Sequence, residues 1–178
     1  MEMPAEPMSP DVPKTNGQAS GPSPVDDPLP GMPPVPDPRN VYADAGPDML
    51  NDVTRRAKPL VYVPHTRSGD VWVIDPRTFA VVGRYPAGIE VQHVVPAWDL
   101  KTLYATDDRG NTVTPFNPET GLPGPRIPVI DPYNMYFSPD GKAAIVVAEA
   151  RRKLIWYDPR TWKIEKELPV PECAGIDH

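Results

Sequence analysis

The chain has 178 residues, with 24 acidic against 18 basic side chains and a net charge of −6, so it offers no basic face for nucleic acid. Its one cysteine, Cys173, excludes an internal disulfide framework. The longest apolar run, residues 143–148, is too short to span a membrane.

Residues 1–59 hold 14 of the 28 prolines and a single aromatic residue, Tyr42. Such a segment lacks the apolar area to offset the entropy of ordering it and is predicted to be a disordered, polyproline-like tail. Its stretch 28–38 is rich enough in proline to dock in an aromatic-lined groove, although composition alone favours a spacer. Residues 47–56 form a short helical candidate, with Asp48 near its start and Arg55 and Arg56 near its end, as the helix dipole prefers.

Strands dominate from residue 60 onward. Residues 60–63 and 71–74 are β-branched and aromatic, and a polar loop with Gly69 separates them. The turn Asp75-Pro76-Arg77-Thr78 follows: Asp accepts from backbone N–H groups, and Pro presets φ. Residues 79–85 form the next strand. The turn is written again as Asn117-Pro118-Glu119-Thr120 and as Asp158-Pro159-Arg160-Thr161, its first residues 42 and 41 positions apart. A period near 40 residues with four strands in each predicts propeller blades.

The second unit is complete, with strands over 91–95, 102–106 and 112–116 and a proline-broken fourth reaching Ile130. Pro115 predicts a local break in its ladder. The third unit places 135–137, the turn Ser138-Pro139-Asp140-Gly141, then 143–148, 154–157 and 162–168. The fold expected is therefore all-β: an incomplete β-propeller of about three four-stranded antiparallel blades over 60–178, after the tail. The first unit lacks its inner strand and the last residues open a fourth, so the chain reads as cut. Bare edges of this kind invite association.

His93, Asn134 and His178 follow the three turns by 18, 17 and 20 residues, at the start of successive inner strands. With Gln92, Tyr133 and Asp177 beside them, they form the candidate ligand-binding set for a small molecule or a protein on the channel face. Polar lining without a ligand is the competing reading. No metal-ligand spacing, phosphate loop, G-x-S-x-G elbow or C-x-x-C-H haem-attachment site occurs, so no catalytic or metal residue is assigned. His65 is expected to be solvated on a loop. Trp72 and Trp156 are expected at matching places, packed between blades.

Residues 60–63 (Leu-Val-Tyr-Val), residues 103–106 (Leu-Tyr-Ala-Thr), the Ser-Pro-Asp-Gly-Lys turn at 138–142 and the three Asp/Asn-Pro-x-Thr turns resemble the YVTN-type β-propeller repeat family. The resemblance implies a propeller, generally of seven blades, and a binding or scaffold role. Related propellers include haem d1 and quinoprotein oxidoreductase subunits and lactonases, so haem is the one cofactor that the resemblance admits, with His93 and His178 near it. Ala97-Trp98-Asp99-Leu100 departs from the family turn, as do residues 54–58. Met1 is followed by acids and prolines rather than a basic and apolar leader, which reads as cytoplasmic for the chain as written. The resemblance instead implies an exported parent.

Overall fold

The computed structural model describes residues 37, 39–40, 42–46 and 48–173. Most of the proline-rich segment, including 1–36, lies outside the described residues, as do Asp177 and His178. The described residues form three antiparallel sheets. Blade 1 has three strands, β1 (Val61–His65), β2 (Asp70–Ile74) and β3 (Val81–Pro86), in that order. Blade 2 runs outward from β4 (Val91–Pro96) through β5 (Leu103–Asp107) and β6 (Thr112–Asn117) to an outer strand in two pieces, β7 (Leu122–Pro123) and β8 (Ile127–Pro128). Blade 3 comprises β9 (Pro132–Phe137), β10 (Ala144–Ala148), β11 (Lys153–Tyr157) and β12 (Ile164–Pro169).

The three repeated turns share one geometry. In each, the leading carboxylate or amide oxygen accepts the N–H two residues on: Asp75 from Arg77 at 2.8 Å, Asn117 from Glu119 at 2.8 Å, and Asp158 from Arg160 at 2.7 Å. Its backbone carbonyl accepts the N–H four residues on, from Phe79, Gly121 and Trp162, each at 2.8 Å. Those three residues have positive φ values of 57°, 79° and 56°, which reverse the chain into the outer strand.

Pro115 acts as the sequence predicts. It has no N–H for the outer strand, and the ladder breaks opposite it: Phe116 pairs Pro123, Val113 pairs Ile127, and the gap is bridged by Gly124 N–H donating to the Pro115 carbonyl at 2.7 Å. The departure at Ala97–Leu100 changes no backbone geometry. Leu100 takes φ 60° where Gly141 takes 68°, and both close onto the residue three before them. Trp98 instead reaches the next blade, donating its indole N–H to the Pro139 carbonyl at 2.9 Å. Gly141 is required beneath it, since an added Cβ would stand 2.6 Å from the indole ring.

The helical expectation at 47–56 is not met. Only a single 3-10 turn, Thr54–Arg56, forms, with the Asn51 side chain accepting N–H bonds from Val53 and Thr54. Asp48 has φ 65°, which no helix start adopts. The segment is drawn instead onto blade 2, where Lys58 N–H donates to the Pro118 carbonyl and Arg56 pairs with Glu119 at 2.9 Å. This turn occupies the place of the loop that follows an inner strand in the other blades.

Two seams make the core. Between blades 1 and 2, Tyr62, Val71 and Tyr85 meet Val91, Ala105 and Phe116. Between blades 2 and 3, Tyr104 and Val113 meet Met135, Val146, Ile155, Tyr157 and Trp162. Each large side chain buried here contributes about 1.5–3 kcal/mol. The tryptophans correct the expectation made for them. Trp72 stands three residues before its turn and Trp156 two, and one position moves a side chain to the other face of the sheet. Trp72 faces away from blade 2 under Arg84, and Trp156 faces away from it beneath Lys166.

Candidate functional site

The hairpin loops 66–69, 107–111 and 149–152 gather at one end of the blades with the segments that lead into the inner strands. The registry is set by backbone bonds: Ala87 N–H donates to Gly69, Val129 to Asn111 and Val170 to Arg152, at 2.8–3.0 Å. The inner strands β4 and β9 begin just beyond these bonds and carry the predicted rim.

His93 lies half-buried between blades 2 and 3. Its Nδ1 is 2.9 Å from the Tyr133 carbonyl. A carbonyl can only accept, so Nδ1 carries a proton and donates it. The imidazole meets the Tyr133 ring edge-on, with centroids 5.2 Å apart. Beneath them, Thr106 is fully buried on β5; its hydroxyl accepts the His93 backbone N–H at 3.1 Å and donates to the same Tyr133 carbonyl at 3.0 Å. Burial raises the Tyr133 phenol, and the nearby Glu149 and Asp108 carboxylates raise it further.

The structure thus brings His93 and Tyr133 together, with Gln92 half-buried beside His93. Asn134 does not join them. It pairs with Val147, turns away from blade 2, and is engaged on its own strand, donating to the Tyr136 hydroxyl at 3.0 Å and accepting from Met135 N–H. His178 and Asp177 lie outside the described residues. His65, expected in solvent, ends β1 instead and packs on Trp72 with ring centroids 4.5 Å apart.

Sequence reasoning missed the carboxylates that hold this end together. Asp107 is buried and accepts from Ile89 N–H, Glu90 N–H, Gly110 N–H and the Thr112 hydroxyl, all at 2.9–3.1 Å. Blade 3 has Ala148 at that place, and the strut is inverted: Asp131, on the lead-in segment, accepts Arg151 N–H at 2.9 Å. Burial raises the Asp131 carboxyl, and Asp108 and Glu149 add to that against Arg151. Asp131 also borders a cleft of about 360 Å³ lined with Asp108, Arg109, Asn111, Ala150 and Arg151. The signal available in the sequence was Asp107 three residues before Gly110, since a loop closing on its own aspartate needs a residue without Cβ there.

No protein-family model matches the sequence, and no curated protein matches it significantly. Solved structures do resemble the fold. The hydrazine synthase of Kuenenia stuttgartiensis is similar at 19% identity and a TM-score of 0.53, over 63% of this chain and 33% of that one. Dihydro-heme d1 dehydrogenase NirN is similar at 19% identity and a TM-score of 0.52, over 64% of this chain and 25% of that one. At such identity the likeness shows the fold alone: the chain is a partial β-propeller, all-β, spanning a quarter to a third of those structures. No helix among the described residues is long and apolar enough to cross a membrane.

Proposed function

We propose that residues 60–178 are a section of a non-enzymatic binding propeller, following a tail over 1–59, whose ligand-facing rim is built from Gln92, His93 and Tyr133. Asn134, Asp177 and His178 occupy the later rim positions in the sequence. The supporting observation is the bond from His93 Nδ1–H to the Tyr133 carbonyl. It sets the ring's orientation, with Nδ1 donating to that carbonyl, and so fixes how the imidazole is presented at the rim. Holding rather than proton transfer is also supported by the neighbouring acids. Asp107 already accepts four bonds and Asp131 braces a hairpin, so both act as struts.

The same bond favours one alternative, a haem-binding propeller. His93 would be the residue that holds such a group, with its bond to the Tyr133 carbonyl as support. One structural neighbour is named as a dihydro-heme d1 dehydrogenase. Bound haem supplies redox chemistry, while this chain's part would be to hold and orient it.

The test is titration of the purified chain with hemin, followed by visible absorbance, beside His93→Ala. The binding-propeller reading expects no band that depends on His93. A Soret shift present in the wild type and lost in the variant would replace that reading with the haem one. Turnover of a simple δ-lactone, abolished by His93→Ala, would contradict the non-enzymatic role.

A further inference from the structure

The cleft beside Asp131 is separate from the His93 rim: none of Gln92, His93 and Tyr133 lines it, and it stands whether or not that rim holds a ligand. It opens between the hairpin loops of blades 2 and 3, and its volume of about 360 Å³ falls within the range of small-ligand sites.

The two buried carboxylates at this end are satisfied very differently. Asp107 receives four hydrogen bonds. Asp131 is only 6% exposed and receives one, from Arg151 N–H to Oδ2 at 2.9 Å. Its Oδ1 has no hydrogen-bond donor among the described residues, and it is not sealed in the interior, so it faces the cleft that Asp131 borders. A buried carboxylate left short of donors destabilises the fold that holds it. The neighbouring side chains are already committed. Asn111 accepts Asp131 N–H at 3.0 Å and donates to the Arg109 carbonyl at 3.3 Å, and the Arg109 guanidinium pairs with Glu90. Asp108 repeats the pattern: half-buried, it accepts Arg109 N–H at 2.7 Å on one oxygen, and its other oxygen has no donor among the described residues.

Charge points the same way. Asp108 and Glu149 both stand close enough to Asp131 to raise its carboxyl, and Arg151 is the base that opposes them. Three carboxylates against one guanidinium leave two negative charges in excess. Among the described residues no three acids, histidines or cysteines converge closely enough to share a metal ion, whereas an alkylammonium group brings three N–H donors and a positive charge together. We infer that the cleft between loops 107–111 and 149–152 binds a small organic ammonium ion, whose N–H groups reach Asp131 Oδ1 and the open oxygen of Asp108. The ion supplies the donors and the countercharge that the fold itself withholds from a buried carboxylate.

Isothermal titration calorimetry of the full chain with putrescine, a flexible diammonium ion, tests this, beside the neutral 1,4-butanediol and calcium. Putrescine is expected to bind with a dissociation constant in the millimolar range or below, more weakly as salt is added, and the diol not at all. Asp131→Asn keeps the acceptor for Arg151 N–H and turns an amide NH2 toward the cleft, so it should fold and bind about tenfold more weakly or worse. Asp108→Asn should weaken binding in the same direction. Glu165→Gln, on the exposed strand β12, removes the same charge away from the cleft and should bind as the wild type does. No heat of binding at millimolar putrescine overturns the inference. So does binding unchanged by both Asp131→Asn and Asp108→Asn, or weakened equally by Glu165→Gln, since the attraction would then be that of the net charge alone. Calcium binding more tightly than putrescine, with the same dependence on Asp131, would overturn it in favour of a metal site.

Discussion

Thr106→Val isolates the polar bond network in the seam between blades 2 and 3. Valine matches threonine in shape, and Thr106 is fully buried, so the change opens no cavity. It removes two hydrogen bonds with unequal consequences. The Tyr133 carbonyl loses the hydroxyl donor at 3.0 Å but keeps His93 Nδ1–H at 2.9 Å. The His93 backbone N–H loses its acceptor at 3.1 Å and remains half-buried without it. One orphaned buried donor costs about 1–3 kcal/mol, and the added methyl returns less than 1 kcal/mol of that. A net loss of about 1–2 kcal/mol should lower Tm by roughly 3–10 °C for a domain of this size. Thr114→Val is the control. Thr114 is equally buried but only donates, to the Ala87 carbonyl at 2.9 Å, so its loss strands no N–H and should cost about half as much. Differential scanning calorimetry of both variants decides the point. If Thr106→Val melts within about 1 °C of wild type, or no lower than Thr114→Val, the account of this seam is wrong.

Gly141→Ala should destabilise by about 1–3 kcal/mol in urea, because φ 68° disfavours any Cβ and the added atom meets the Trp98 ring; pairing it with Trp98→Ala should recover part of the loss. Met135→Ala, fully buried in the seam, should cost about 2–5 kcal/mol by the same measurement. The Asp131 carboxyl is raised in the folded state, so its contribution is fully present below its unfolded pKa and is lost as pH rises through the folded one. Asp131→Asn keeps the acceptor for Arg151 N–H without the charge, and should raise Tm at pH 7 while making no difference at pH 3. Asp140 has the opposite sign: the Ser138 hydroxyl and the Lys142 N–H hold it down to about 2. Asp75 and Asp158 are lowered chiefly by the Arg77 and Arg160 N–H bonds. Stability these three contribute should persist above pH 4 and fade as pH falls toward 2, and a thermal denaturation series over that window that stays flat would contradict it.

The amino-acid order alone determined the blades and their corners. Asp75-Pro76, Asn117-Pro118 and Asp158-Pro159 make their bonds within five residues, so their geometry is written where they stand. Pro115 announced the broken outer strand for the same reason: a missing N–H is a local fact. The three consecutive strands of blade 1 were equally legible, because they repeat the order seen in the other units. The rim was not. His93 and Asn134 stand 18 and 17 residues after equivalent turns, near the start of successive inner strands, yet one meets Tyr133 across a seam and the other lies against its own strand. The difference comes from which blade lies beyond each, and nothing within a repeat encodes its neighbour. Trp72 and Trp156 show the same limit, since an offset of one residue puts them on opposite faces. Asp107 and Asp131 became struts only when loops about 20 residues apart were folded together, leaving buried N–H groups that water could not reach.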